Sequence, residues 1–135
     1  IVRTYRKINI DLQQLLHEDI NKNFNDYPIK THWPEQRKAD SNIDHRRVPN
    51  LEVFLSKYGQ SLLITNDKKD YEPGDVVTWN LMGSSPWHIG IVTNKISSNT
   101  KNPLIVHNIG RGPALDDVLF KYPIRGSITC CQGLI

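Results

Sequence analysis

The sequence predicts a single α+β domain over residues 1–135, with N-terminal helices packed on an antiparallel sheet. Apolar residues of the first half recur at helical spacing, and the second half contains short β-rich runs separated by turns. The 135 residues are the size of one domain, and a 38% apolar content is enough for one core. Helices followed by strands, rather than alternating with them, are typical of the α+β class.

Three helices are expected in the first half. The first carries the end of an apolar stripe, at Ile1, Val2 and Tyr5, and Asn9 breaks it. Asp11 is expected to cap the second helix, whose apolar face is Leu12, Leu15, Leu16 and Ile20. Residues 25–49 are rich in Asn, Asp, Pro and Lys, which predicts a long irregular excursion. Asn50 is expected to cap the third helix, which Gly59 ends.

Four strands are expected in the second half. A Pro73-Gly74 turn of type II leads into the first strand at residues 76–79, and Asp75 is interpreted as an acceptor that stabilises this turn. The next two strands, residues 88–92 and 104–108, are joined by a polar loop at 94–103. A last strand is expected at residues 124–130. Trp79 is interpreted as a core residue.

The composition limits the partners. Lys and Arg number 17 against 14 Asp and Glu, and the formal charge of +3 argues against a basic arm that binds nucleic acid. No apolar run approaches the roughly 18 residues of a membrane span. Two adjacent cysteines cannot form a disulfide framework or a cysteine-rich zinc site. We expect a monomer with no nucleic-acid partner, no membrane span, no metal and no cofactor.

Two histidines, His88 and His107, begin or interrupt otherwise apolar strands. If residues 88–93 and 104–109 form a hairpin, Thr93 lies opposite Leu104, and His107 opposite Gly90. His88 is then a diagonal neighbour of His107 on the same face, roughly 7 Å away at Cβ, and Gly90 leaves room for the His107 ring. A register slip of one residue would separate the rings. The alternative is a buried structural histidine at each position.

A histidine pair suits three chemistries: a general base with its orienting partner, two ligands of a metal, or a pH-sensitive contact. A general base needs a nucleophile nearby. Ser84 and Ser85 lack a recognisable nucleophile elbow and are interpreted as turn residues. Cys130 and Cys131 do not lie at a helix N-terminus, which would lower the pKa of a thiol. None of these residues is therefore a convincing nucleophile.

Three motifs occur in a fixed order: Tyr71-Glu72-Pro73-Gly74-Asp75-Val76-Val77, His88-Ile89-Gly90-Ile91-Val92 and Ile105-Val106-His107. This pattern resembles that of the NlpC-type cell-wall cysteine peptidases, which are small papain-like domains. The whole chain also resembles an uncharacterised bacterial branch of that superfamily, a domain of unknown function found mostly in exported proteins. The most specific segment of this second resemblance is Asn42-Ile43-Asp44-His45-Arg46-Arg47-Val48-Pro49-Asn50.

The resemblance implies a papain-like NlpC-type fold and hydrolysis of peptide or amide bonds in peptidoglycan by a Cys-His-polar triad. His88 would take the thiol proton, and His107 would orient the His88 ring. The nucleophilic Cys of the family lies at the N-terminus of the first helix, a few residues before the position matched by Ile1. We therefore expect the sequence to be a fragment that begins after its nucleophile and is inactive by itself.

The densest polar cluster is Asp44, His45, Arg46 and Arg47. One interpretation is a cleft wall that contacts the carboxylates of a stem peptide, which Arg binds in bidentate fashion. The other is a knot of salt bridges that pins the long loop. In the first interpretation these four residues, with Trp87 and Asn108, bind the expected partner, peptidoglycan stem peptides. The resemblance further implies a periplasmic or secreted protein.

Two alternatives to the thiol hydrolase remain open at this point. The first is a zinc hydrolase, for which His88, His107, His45 and Asp44 supply suitable ligand types. The second is a non-catalytic protein that binds cell-wall peptides and naturally lacks the cysteine.

Overall fold

The computed structural model describes residues 1–81, 86–108, 110 and 112–129. The described chain divides into two compact units, a helical unit within residues 2–58 and a sheet unit within residues 59–129. The helical unit contains four α-helices, and the sheet unit contains six antiparallel strands. The predicted α+β class is therefore confirmed. Among the described residues, no helix is long and apolar enough to cross a bilayer.

The helices of the helical unit are α1 (Val2–Arg6), α2 (Leu12–Lys22), α3 (Ile29–His32) and α4 (Val48–Tyr58). The predicted cap of α2 is confirmed, because the Asp11 carboxylate accepts the backbone N–H of Gln14 at 3.2 Å. The α2 positions Leu12, Leu16 and Ile20 are fully buried, as the apolar spacing predicts.

The start of α4 differs from the prediction. The helix begins at Val48, two residues before Asn50, and Pro49 lies in its first turn, where a missing backbone N–H is tolerated. Asn50 is buried inside the helix, and its side-chain amide donates to the Asp44 carbonyl at 3.2 Å. The predicted end is confirmed, since α4 stops at Tyr58, immediately before Gly59.

Residues 25–49 are only partly irregular. Besides α3, this stretch contains most of one short 3-10 helix (Phe24–Asp26) and all of another (Asp44–Arg46). These single turns are too short to show an apolar period. Side-chain contacts with nearby backbone groups hold much of the stretch. For example, Asp40 N–H donates to the Asp44 carboxylate at 2.6 Å, and Asn42 N–H donates to that of Asp40 at 2.9 Å.

The sheet unit is one six-stranded sheet with the order β1-β6-β2-β3-β4-β5. Its strands are β1 (Gln60–Leu62), β2 (Val76–Asn80), β3 (Trp87–Ile96), β4 (Pro103–Asn108), β5 (Pro113–Asp116) and β6 (Ile124–Thr129). A short 3-10 helix (Lys68–Asp70) precedes the turn into β2. That turn has the predicted form, with Gly74 at φ +94° and the Asp75 carboxylate accepting the Glu72 N–H at 3.0 Å.

Two strands at the edges of the sheet, β1 and β5, were not predicted. Both are short, and β1 makes its ladder with β6 alone. The predicted loop at 94–103 is also shorter, because β3 runs on to Ile96. Strand β6 ends at Thr129, the last described residue. Cys130, Cys131, Ser84 and Ser85 lie outside the described residues.

One face of the sheet carries a buried apolar cluster, made of Tyr71, Val77, Trp79, Val92, Ile105, Val118 and Leu119. Trp79 is 1% exposed, and its indole N–H donates to the Leu119 carbonyl at 2.9 Å. The prediction that Trp79 is a core residue is therefore confirmed. Its neighbour across the β2–β3 ladder is His88, which brings the histidine site to the edge of this cluster.

Candidate functional site

The β3–β4 hairpin has the predicted register at the histidines. His107 pairs with Gly90, Val106 with Ile91, and Ile105 with Val92. Side chains alternate between faces along a strand, so His88, two residues before Gly90, shares a face with His107. Beyond Val92 the register shifts. The contact at Thr93 is a hydrogen bond from its hydroxyl to the Leu104 carbonyl at 2.7 Å.

The two imidazoles are in direct contact. Nε2 of His88 lies 2.7 Å from Nδ1 of His107, which is hydrogen-bond distance. The ring centroids are 4.9 Å apart, and the planes cross at 76°. Nε2 of His88 is thereby occupied, and within the described chain its Nδ1 makes no hydrogen bond. His107 therefore anchors one ring nitrogen of His88, while the other has no hydrogen-bond partner among the described residues.

The surroundings of the His88 ring favour its neutral form. The ring lies 5.7 Å from that of the buried Trp79, and His107 is itself buried. Burial lowers the pKa of His88 below its usual 6.5, and the positive charge that His107 can carry lowers it further. A neutral imidazole with a free nitrogen is the form that accepts a proton.

Gly90 is closely packed by side chains of the apolar cluster. A Cβ at this position would lie 2.6 Å from Cγ2 of Ile105, 3.1 Å from the Val106 carbonyl oxygen and 3.2 Å from Cη2 of Trp79. Side chains of the apolar cluster thus fill the space next to Gly90, and the predicted role of Gly90 in making room for the His107 ring stays a prediction. Because Gly90 has no side chain, the side chains of Trp79 and Ile105 can pack closely against it, beside the histidines.

A carboxylate that the sequence reasoning missed lies behind His107. Oδ2 of Asp116, on β5, is 2.7 Å from Nε2 of His107. The sequence pattern does not indicate Asp116, because β5 has no strong β pattern. A usable signal was nevertheless present: Gly110 and Gly112 after β4 indicate a turn and a further hairpin. In that hairpin Ala114 pairs with His107, and Asp116 shares its face.

Two other predicted substrate-binding residues lie on the same two strands as the histidines. Trp87 is the first residue of β3, next to His88, and is partly buried. Asn108 ends β4, next to His107, and its side-chain oxygen accepts the Gly110 N–H at 2.9 Å. Their predicted contacts with a substrate stay predictions.

The remaining predicted residues lie in the helical unit. Asp44 is 1% exposed and accepts the side-chain amide of Gln36 at 2.8 Å, and Arg47 donates to the carbonyl oxygen of that amide. The Arg47 guanidinium also stacks 3.9 Å from the centroid of a Trp33 ring. These contacts agree with the interpretation of a pinned loop. They are hydrogen bonds and stacking, and not a salt bridge between Asp44 and Arg47.

The other two members of that cluster differ. Arg46 is exposed, and its charge is available at the surface. Burial and the neighbouring Arg46 charge both lower the pKa of His45. Within the described residues, Nδ1 of His45 is buried without a hydrogen-bond partner. A stem-peptide contact for these two residues remains a prediction.

Comparison with known proteins places the chain among relatives of unassigned activity. A curated Escherichia coli (strain K12) protein, described as "Uncharacterized protein YijF", is 42% identical over 126 residues. The match covers 93% of this chain and 59% of the relative, so the chain spans about three fifths of that protein. No solved structure gives a significant match. The model of the family described as "Domain of unknown function (DUF1287)" matches residues 1–129, and the chain therefore belongs to that family.

Proposed function

We propose that the protein is a thiol hydrolase of peptidoglycan peptides, in which His88 is the general base and His107 orients it. In this proposal the nucleophile is a cysteine on the N-terminal side of Ile1. The fold would be the papain-like one of the NlpC-type peptidases, in a periplasmic or secreted protein. The substrate class comes from the resemblance of the motifs around Gly74, His88 and His107 to that superfamily.

The observation that carries the proposal is the 2.7 Å contact between Nε2 of His88 and Nδ1 of His107. A base and an orienting group in hydrogen-bond contact are two members of a nucleophile–base–orienter triad. The lowered pKa of His88 supports the role, since burial favours the neutral ring, which is the form that can accept a proton. Within the described residues, Nδ1 of His88 makes no hydrogen bond, so this nitrogen can serve as the base in the proposal.

The proposed reaction has two steps. The thiol proton moves to Nδ1 of His88, and the thiolate attacks the carbonyl carbon of the peptide or amide bond. The imidazolium then returns the proton to the leaving amine, which leaves an acyl group on the sulfur. Water, deprotonated by the same nitrogen, releases the acid and restores the thiol. His107 keeps the ring aimed throughout by holding its other nitrogen.

The same geometry makes the zinc alternative weaker. Both nitrogens of His107 and Nε2 of His88 are engaged in hydrogen bonds, so the two rings do not direct free nitrogens at one point. Zinc binding requires one unprotonated nitrogen from each histidine ligand. Within the described residues, no group of three or more His, Cys, Asp or Glu is arranged to hold a metal.

The test is hydrolysis of purified muropeptides by the protein extended on the N-terminal side of Ile1, with products identified by mass spectrometry. His88→Ala is expected to reduce kcat/KM by at least about 100-fold, the lower range for losing a general base. His107→Ala should reduce it less, because an orienting group is partly replaceable. His32→Ala is the matched control, since His32 is an exposed histidine in the helical unit and should leave turnover unchanged.

Three outcomes would overturn the proposal. Wild-type turnover in His88→Ala would show that His88 is not the general base. Stoichiometric zinc whose chelation abolishes turnover would favour the metal mechanism. Muropeptide binding without any product, by an extended protein that has no cysteine in the added segment, would favour the non-catalytic binder.

A further inference from the structure

We propose that Asp116 is a positioning residue which, acting through His107, decides which ring nitrogen of His88 carries the lone pair. The assignment of tautomers stands on hydrogen-bond geometry alone, while its catalytic meaning rests on the proposed function. Asp116 touches neither of the reacting atoms in that mechanism. Its effect passes through two rings in series.

The first link is the contact between Asp116 and His107. An ionised carboxylate only accepts hydrogen bonds, so Nε2 of His107, at 2.7 Å from Oδ2 of Asp116, must carry a hydrogen. A neutral imidazole has one N–H. When His107 is neutral, its Nδ1 is therefore the unprotonated nitrogen and an acceptor.

The second link follows from the first. Nδ1 of His107 lies 2.7 Å from Nε2 of His88, and an acceptor on one side requires a donor on the other. Nε2 of His88 therefore carries the hydrogen. The lone pair of the neutral His88 ring is then on Nδ1, the nitrogen that has no partner within the described chain. This is the nitrogen that the proposed reaction uses as base.

The burial of His107 limits the partners that its two ring nitrogens can bind. The His107 side chain is 4% exposed, so water has little access to replace either of its partners. The Asp116 side chain is 44% exposed, so the outer side of its carboxylate is in contact with water. Among the described residues, three titratable groups are hydrogen-bonded to one another in this site. They are His88 on β3, His107 on β4 and Asp116 on β5.

The neighbouring carboxylate provides a matched control. Asp117 follows Asp116 in the chain, but its Oδ2 accepts from the Thr100 hydroxyl at 2.7 Å instead of from a histidine. Replacing either aspartate by asparagine removes the same charge from the same segment. Only Asp116→Asn removes an obligatory acceptor from His107, because an amide can present either its oxygen or its NH₂ to Nε2.

The experiment is a long-range ¹H–¹⁵N spectrum of the histidine rings at a pH where they are neutral, recorded for the wild type, Asp116→Asn and Asp117→Asn. The wild type should show one tautomer at each ring, with the hydrogen on Nε2 of both His88 and His107. Asp116→Asn should show loss of the single tautomer at both rings. Asp117→Asn should match the wild type. Backbone amide spectra establish that each variant is folded.

A hydrogen on Nδ1 of His107 in the wild type would overturn the inference, whether or not Asp116→Asn folds. So would a single, unchanged tautomer in folded Asp116→Asn. In the protein that hydrolyses muropeptides, Asp116→Asn should lower kcat about 10- to 100-fold with KM nearly unchanged, by analogy with the outer partners of metal-ligating histidines. Absence of hydrolysis by the wild type would refute the proposed function and leave the tautomer result standing.

Discussion

Gly90→Ala tests whether the close packing of Trp79 and Ile105 against Gly90 holds the His88 and His107 rings in position. The added Cβ would lie 2.6 Å from Cγ2 of Ile105, at least about 0.8 Å closer than the 3.4 Å at which ordinary contact begins. Ile105 and Trp79 are at most 1% exposed, and the third contact is the backbone oxygen of Val106, so none of the neighbours yields easily. The clash is expected to displace the Trp79 ring, and with it His88, 5.7 Å away.

The expected loss of unfolding free energy is about 2 kcal/mol, within the range for overpacked cores. With an unfolding entropy of about 2.1 cal/mol/K per residue, this corresponds to a fall of about 7 °C in Tm for 135 residues. Urea and thermal unfolding followed by circular dichroism measure the loss. The histidine ring resonances report the displacement at the site.

Gly74→Ala is the control for this experiment. Gly74 has φ +94° with nothing within 4 Å of an added Cβ, so the substitution costs conformational strain, about 1–2 kcal/mol, and causes no clash. It should lower stability while leaving the histidine resonances unchanged. Wild-type stability in Gly90→Ala, or equal changes at the histidines in both variants, would refute the packing argument.

Two further predictions concern the helical unit. Burial raises the pKa of Asp19, but hydrogen bonds from Lys57, Tyr27 and Tyr58 outweigh burial and lower it below the usual 3.8. The stabilisation by this carboxylate is therefore present above the unfolded pKa and lost as the pH falls through the folded one. The urea midpoint of Asp19→Asn should decline less than that of the wild type between about pH 5 and pH 3, and parallel declines would contradict this. Asp44→Ala should cost about 1–3 kcal/mol in urea unfolding, because it removes the buried acceptor of the hydrogen bonds from Gln36 and from the Asp40 backbone. Arg46→Ala, at an exposed position, should change stability by less than about 0.5 kcal/mol. Equal losses in the two variants would contradict the pinned-loop interpretation.

The histidine contact was predictable because it depends on two local rules. Apolar alternation on each strand defines the faces, and the polar loop between the strands defines the hairpin, so the pairing of His107 with Gly90 follows. The cap at Asp11 was predictable for a similar reason, since a capping side chain acts within one turn of its own helix.

The parts that were not predictable depend on contacts with other segments, which the pattern of a residue's own segment does not indicate. Asp116 lies on a four-residue strand whose pairing with β4 gives it a role that its own segment does not indicate. The space at Gly90 is filled by Trp79 from another strand, which no pattern within β3 reveals. Asn50 resembles a helix cap in sequence, but the helix starts earlier and its amide is used to hold Asp44.

In the proposed function, His88 activates a cysteine thiol. The most direct measurement is the rate of alkylation of that thiol by iodoacetamide as a function of pH, in the extended wild-type protein and in His88→Ala. An imidazole that takes the thiol proton keeps the sulfur reactive well below the ordinary thiol pKa of about 8.5. We predict rapid alkylation near neutral pH in the wild type and a profile shifted towards 8.5 in His88→Ala. Identical profiles in the two proteins would contradict the account.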